Sequence, residues 1–170
     1  MTREIDTISL IGMPGSGKST VGVLLAKISG LRFRDTDLDI QVHAGATLQE
    51  ILEEHGHARL REIEEQVLMD IPLDQSVIST GGSVVYSDSA MQRLSSAGPV
   101  VYLEASLQTL ERRIALAPLR GIASSPAQNF AEVFNERTPL YRQYAAYTVS
   151  SDSGSADEIA AKILDLLQDR

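Results

Sequence analysis

Gly12-Met13-Pro14-Gly15-Ser16-Gly17-Lys18-Ser19 matches G-x-x-x-x-G-K-[ST] in full. Each residue type has a task in phosphate chemistry. The glycines let consecutive backbone N–H groups turn inward around phosphate oxygens, and the first turn of a following helix adds unpaired N–H groups and its dipole. Lys18 reaches the β- and γ-phosphates, and the Ser19 hydroxyl ligates Mg²⁺. A chance glycine turn explains the glycines but not Lys18 and Ser19 in register.

Three further sets of residues have chemistry to offer. Asp35 and Asp37 are separated by one residue, so in an extended stretch both face the same side. One carboxylate suits Mg²⁺ held through water, and the other suits orienting an acceptor hydroxyl and taking its proton. Asp39, one turn further on, reads as surface. Thr80-Gly81-Gly82-Ser83 follows an apolar run, and glycine there admits a ligand close to backbone N–H groups. Arg61 stands three residues before Glu64, where an ordinary i,i+3 surface pair competes with a binding role. His43, His55 and His57 follow no metal-ligand spacing.

These groups need a scaffold, and the hydrophobic pattern supplies one. Thr7–Ile11, Leu31–Arg34, Ser76–Thr80, Pro99–Leu103 and Tyr147–Val149 read as strands. Helical spacing spans Lys18 to Ser29, closed by Gly30, then Thr47 to His55, Ala58 to Asp70, Ser87 to Ser96, Leu107 to Leu116 and Asp157 to Leu167. Thr47 and Glu50 form a capping box. A helix with Phe130, Val133 and Phe134 on a core face precedes Pro139. Ala117 to Gln128, with Pro118, Gly121 and Pro126, reads as an exposed loop. Strands alternating with helices predict a three-layer α/β/α domain with a mainly parallel sheet, whose ligands sit at the carboxyl ends of the strands.

Composition narrows the function. A chain of 170 residues is one domain, and with Cys 0 every disulfide, thiol or Cys-based metal chemistry is excluded. A net charge of −8 argues against nucleic acid or an anionic membrane as partner. Only Lys18, Lys27 and Lys162 are lysines among the 15 basic residues; the rest are arginines, which grip carboxylates and phosphates with a rigid fork. No N-K-x-D guanine reader occurs, nor a long apolar run ending in Asp-Glu. A kinase for a small molecule, closing over both substrates to exclude water, fits best. With no targeting or spanning segment and no exposed apolar stripe, a cytoplasmic monomer is expected.

Taken together, these residues resemble the shikimate kinase family, small P-loop enzymes of the nucleoside monophosphate kinase type. The likeness covers nearly all of residues 1–170. Phe33-Arg34-Asp35-Thr36-Asp37 matches F-x-D-x-D, Gly56 through Arg61 to Glu64 matches G-E-x-x-F-R-x-x-E, Ser79 through Ser83 matches the triple-glycine loop, and Arg137-Thr138-Pro139-Leu140-Tyr141 matches R-x-P-L-Y. The resemblance implies a P-loop kinase fold with a five-stranded parallel sheet, an acceptor-binding helical region near 36–70 and a mobile lid near 115–128. It implies ATP, Mg²⁺ and shikimate as ligands, and transfer of the γ-phosphoryl group to the 3-hydroxyl. ATP would be contacted by Gly12, Met13, Pro14, Gly15, Ser16, Gly17, Lys18, Ser19 and Thr20, with Arg113 packed on adenine. Asp37 would orient the attacked hydroxyl, Asp35 would support Mg²⁺ through water, and Ser19 would ligate it directly. Arg61 and Arg137 would clamp the carboxylate, Gly81 and Gly82 would meet the ring hydroxyls, and Arg120 would reach the transferred phosphate from the lid. The catalytic set is then Lys18, Asp37 and Arg120.

Several positions depart from the family pattern. His57 and Leu60 replace the glutamate and phenylalanine of E-x-x-F, Gln41 a glutamate, and Ser83 the third loop glycine, while the lid reads Arg120-Gly121-Ile122-Ala123 in place of R-P-L-L. Ser83 keeps the backbone N–H and brings a side chain toward the acceptor. Gluconate is the natural alternative acceptor, and a nucleotide-binding regulatory protein without catalysis is the alternative outside enzymes.

Overall fold

The computed structural model describes residues 5–117 and 129–169, so most of the stretch 115–128 expected to form a lid, with Arg120, lies outside the described residues. Five strands, β1 (Thr7–Ile11), β2 (Arg32–Asp35), β3 (Ser76–Ser79), β4 (Val100–Glu104) and β5 (Tyr147–Ser150), pair in the order β2-β3-β1-β4-β5. Every pairing is parallel, as the sequence pattern predicts. Around them lie α1 (Lys18–Ser29), α2 (Thr36–Ala44), α3 (Leu48–Asp70), α4 (Asp88–Ala97), α5 (Leu107–Ala115), α6 (Phe130–Tyr144) and α7 (Ala156–Gln168).

Alternation along the central strands makes the three layers. Ile8, Leu10, Val77, Val101 and Leu103 turn to one face, where Val21 and Leu25 of α1 and Ile159 and Ile163 of α7 cover them. Ile11, Ile78, Val100 and Tyr102 turn to the other, packed with Met91 and Leu94 of α4 and Val133 and Tyr141 of α6. Phe130 and Phe134 pack against the edge of this second core and are only partly buried. A smaller cluster of Ile40, Leu48, Ile51, Leu60, Ile63 and Val67 locks α2 onto α3. Among the described residues no helix is long and apolar enough to cross a membrane.

Two expectations are corrected. Asp35 and Asp37 do not share one extended stretch. β2 ends at Asp35, whose carboxylate accepts from the Asp37 N–H and so caps α2, placing Asp37 in its first turn. The helix carrying Phe130, Val133 and Phe134 does not stop before Pro139 either; α6 continues through it to Tyr144. The Thr138 hydroxyl bonds the Phe134 carbonyl at 2.7 Å, and buried Tyr141 anchors the turn beyond the proline. The two helices expected at 47–55 and 58–70 are present as the halves of α3, broken by Gly56 at φ 80°.

Candidate active site

The order β2-β3-β1-β4-β5 makes the chain leave β1 toward one edge and β3 toward the other. The cleft at such a switch point opens at the carboxyl ends of the strands. Gly12 to Gly17 follows β1, Asp37 follows β2, Thr80 to Ser83 follow β3, and Ser151 to Gly154 follow β5. They surround one cavity of about 500 Å³, whose lining includes Lys18, Ser19, Thr20, Asp37, Glu64, Gly81, Gly82, Arg113 and Arg137.

At the phosphate end, Gly17 takes φ 93° as the residue before α1, a conformation that an L side chain resists. The chain thus enters the helix with the Lys18, Ser19 and Thr20 N–H groups at its open first turn. Lys18 Nζ donates to the Gly12 and Met13 carbonyls at 2.8 and 2.9 Å. Burial lowers its pKa to about 8, while the Asp37 and Asp35 carboxylates act against that shift. The Ser19 hydroxyl donates to Asp35 Oδ2 at 2.7 Å and lies 3.3 Å from the Ser79 hydroxyl. At the other end of this half, the Arg113 guanidinium donates to the Gly15 carbonyl at 3.2 Å and to the Ser151 carbonyl. It thereby ties the phosphate loop to the loop after β5.

At the acceptor end the two glycines are required by what stands against them. A Cβ at Gly81 would strike Glu64 Oε1 and lie 3.2 Å from Asp37 Oδ1; one at Gly82 would lie 2.9 Å from Arg137 Nη1. Arg137 is 1% exposed. Its Nε donates to the Tyr86 hydroxyl at 3.3 Å. One turn on, Tyr141 donates to the Gly82 carbonyl, holding the glycine loop to α6. Arg61 is outside the cavity lining; its guanidinium carbon stands 3.9 Å from the centre of the Tyr86 ring.

Glu64 is the residue that sequence reasoning missed. It is 4% exposed, so it is not one half of a surface pair. Leu60, Ile63, Glu64, Val67 and Leu68 form the buried stripe of this half of α3, and a carboxylate inside an apolar stripe was the available signal. The Ser83 hydroxyl, expected to face the acceptor, instead donates to Glu64 Oε2, while Oε1 has no hydrogen-bond partner among the described residues.

Burial pushes the Glu64 carboxyl up to about 7. Ser83 opposes the shift, Asp37 adds to it, and Arg137 and Lys18 reduce it. The folded state therefore holds a proton that the unfolded chain releases from its ordinary value of 4.5 upward. This contribution to stability is complete below 4.5 and is lost as the pH rises through about 7. Urea unfolding of the ligand-free protein should show wild type losing on the order of 1 to 3 kcal/mol relative to Glu64→Gln between those limits. Parallel stability curves for the two proteins would contradict it.

A parallel sheet with a phosphate loop on its central strand, facing carboxylates, glycines and a buried arginine across one cavity, defines a P-loop kinase for a small acidic acceptor. The sequence profile described as shikimate kinase matches residues 14–168. A shikimate kinase of Rhodococcus erythropolis is 35% identical over 164 residues, covering 95% of this chain and 96% of the relative. The chain belongs to the shikimate kinase family. The structure of shikimate kinase from Acinetobacter baumannii in complex with shikimate superposes with a TM-score of 0.85 at 34% identity, covering 96% of this chain and 93% of that one. A gluconokinase from Sinorhizobium meliloti, with a TM-score of 0.55 and 19% identity over 97% of this chain and 93% of its own, shares the fold alone.

Proposed function

We infer that the protein transfers the γ-phosphoryl group of ATP to the 3-hydroxyl of shikimate, giving shikimate 3-phosphate and ADP. The observation that carries this reading is one cavity in which the phosphate loop faces Asp37, Glu64, Gly81, Gly82 and Arg137. Shikimate offers one carboxylate and three hydroxyls, and this wall offers cations, carboxylates and glycine N–H groups to match. Gluconate is not favoured, because the neighbour bearing that activity shares only the fold.

ATP lies with its phosphates on Gly12 to Thr20 and its base toward Arg113, Ile114 and Ala156, which also line the cavity. Shikimate lies with its carboxylate toward Arg137 and Arg61 and its hydroxyls toward Asp37, Gly81 and Gly82. The hydroxyl oxygen attacks the γ-phosphorus, the bond from that phosphorus to the bridging oxygen breaks, and ADP leaves with the electron pair. Asp37 orients the hydroxyl and takes its proton. Lys18 leaves the Gly12 and Met13 carbonyls to follow the charge that moves from the γ- to the β-phosphate. Arg120, to which the family resemblance gives a role on the transferred group, lies outside the described residues.

The Ser19 hydroxyl, the Asp35 carboxylate and the Ser79 hydroxyl form a set of hard oxygen donors beside the phosphate loop, and this set suits Mg²⁺. Ser19 would hold the ion directly and Asp35 through water; when bound, Mg²⁺ neutralises phosphate charge. A monomer acting in the cytoplasm is the expected form of the protein.

A coupled ADP-release assay tests the reading: shikimate must stimulate ADP formation over the blank without acceptor, and more than gluconate does. No stimulation would overturn it. In the same assay Arg61→Ala should raise KM for shikimate about 10- to 100-fold and leave KM for ATP within about twofold. An unchanged shikimate KM would remove Arg61 from the clamp.

A further inference from the structure

Arg61 of α3 and Arg137 of α6 come from different elements, yet both meet the same aromatic ring. Tyr86 closes the short 3₁₀ turn Val84–Tyr86 that follows the glycine loop. The Arg61 guanidinium carbon lies 3.9 Å from its ring centre, and that of Arg137 lies 5.3 Å away. Nε of Arg137 donates to the Tyr86 hydroxyl, which in turn donates to a Glu136 carboxylate oxygen. Nothing in the phosphate-loop or carboxylate motifs singles this tyrosine out.

Resting on the reading above, we propose that Tyr86 is a positioning residue for acceptor binding, holding the Arg61 and Arg137 forks in place for the substrate carboxylate. Two guanidinium ions aimed at one anion repel each other until the anion arrives. The negative face of an aromatic ring offsets part of that repulsion and keeps both groups from turning to solvent. A guanidinium whose face meets a ring can still grip a carboxylate through the N–H groups at its edge, and Arg137 gives its Nε to the Tyr86 hydroxyl. Through the hydroxyl, Glu136 adds a second restraint on Arg137 alone. Burial, with the Glu136 hydrogen bond, raises the Tyr86 pKa, so the hydroxyl stays protonated and able to donate. Tyr86 itself lies outside the cavity lining. Its effect passes entirely through the two arginines.

Packing alone would ask only for bulk, so the test separates ring from volume. Tyr86→Leu and Tyr86→Ala should each raise KM for shikimate about tenfold, with kcat and KM for ATP within about twofold of wild type. Tyr86→Phe keeps the ring and loses the relay to Glu136, and its KM should rise about threefold. An acceptor analogue with hydroxymethyl in place of the carboxylate has no use for the fork, so the variants should process it as poorly as wild type does, without further loss. The proposal is overturned if Tyr86→Leu keeps the wild-type KM, if Tyr86→Leu and Tyr86→Phe lose equally, or if the analogue's kcat/KM falls by the same factor as shikimate's. Thermal melts of all three variants identify any that fail to fold, and Tyr86→Phe against Tyr86→Leu decides the matter without Tyr86→Ala. Wild type failing to turn over shikimate would instead count against the assigned reaction.

Discussion

Lys18→Ala should lower kcat for shikimate phosphorylation on the order of 10²- to 10³-fold and change KM for ATP much less. The asymmetry follows from the loop. Most of its hold on the phosphates comes from backbone N–H groups, which the substitution leaves in place. What disappears is a mobile cation parked 2.8 and 2.9 Å from the Gly12 and Met13 carbonyls, able to follow charge onto the leaving phosphate. Stability does not confound the result. Because the Lys18 pKa is lowered from 10.5 to about 8, burying the ammonium costs folding free energy below pH 8, and that cost fades as the pH rises toward 10.5. At pH 7 the alanine variant is spared this cost and should remain folded. Steady-state kinetics with a thermal melt checks both halves. A variant with kcat within tenfold of wild type and a raised KM for ATP would make Lys18 a binding group only.

Asp37→Asn should lower kcat about 10²- to 10⁴-fold, the range expected when a positioned proton acceptor is lost. Asparagine keeps the size of the side chain and can still accept a hydrogen bond, so shikimate should still bind, with KM within about fivefold of wild type. Asp37 sits in the first turn of α2, on the cavity wall, with its Oδ1 against Gly81. In the proposed reaction that wall faces the acceptor. Initial rates for the two proteins over a range of shikimate concentrations measure the split. Equal kcat values would assign the proton to water and leave Asp37 a hydrogen-bonding role.

The parts of the site legible in the sequence are those whose chemistry demands fixed local spacing. Gly12 to Ser19 is a contiguous loop whose function depends on offsets, and Gly81 and Gly82 are needed because Glu64, Asp37 and Arg137 crowd their α-carbons. The strands were legible because alternation along β1, β3 and β4 serves two cores at once. The errors arose where one residue had two local options. Asp35 reads equally well as the end of a strand and the cap of a helix, and the Asp37 N–H decided for the cap. Pro139 reads as a helix stop, but Thr138 bonds back to Phe134 and Tyr141 is tied to the Gly82 carbonyl, a partner remote in sequence. Glu64 and Tyr86 depended on tertiary packing. Glu64 could have been found from its place in the stripe Leu60-Ile63-Val67, but which atoms would meet it could not. Tyr86 gains its role only when α3 and α6 bring Arg61 and Arg137 to one ring.

In the proposed reaction this cavity joins the phosphate loop to a single acceptor hydroxyl presented by Asp37. The most direct measurement is phosphorus-31 NMR of the product formed from ATP, Mg²⁺ and shikimate, coupled to proton assignment of the sugar-like ring. One phosphomonoester on the 3-hydroxyl, formed in step with ADP and suppressed in Asp37→Asn, is the expected result. Inorganic phosphate as the only product, or a phosphoryl group on a different hydroxyl, would contradict it.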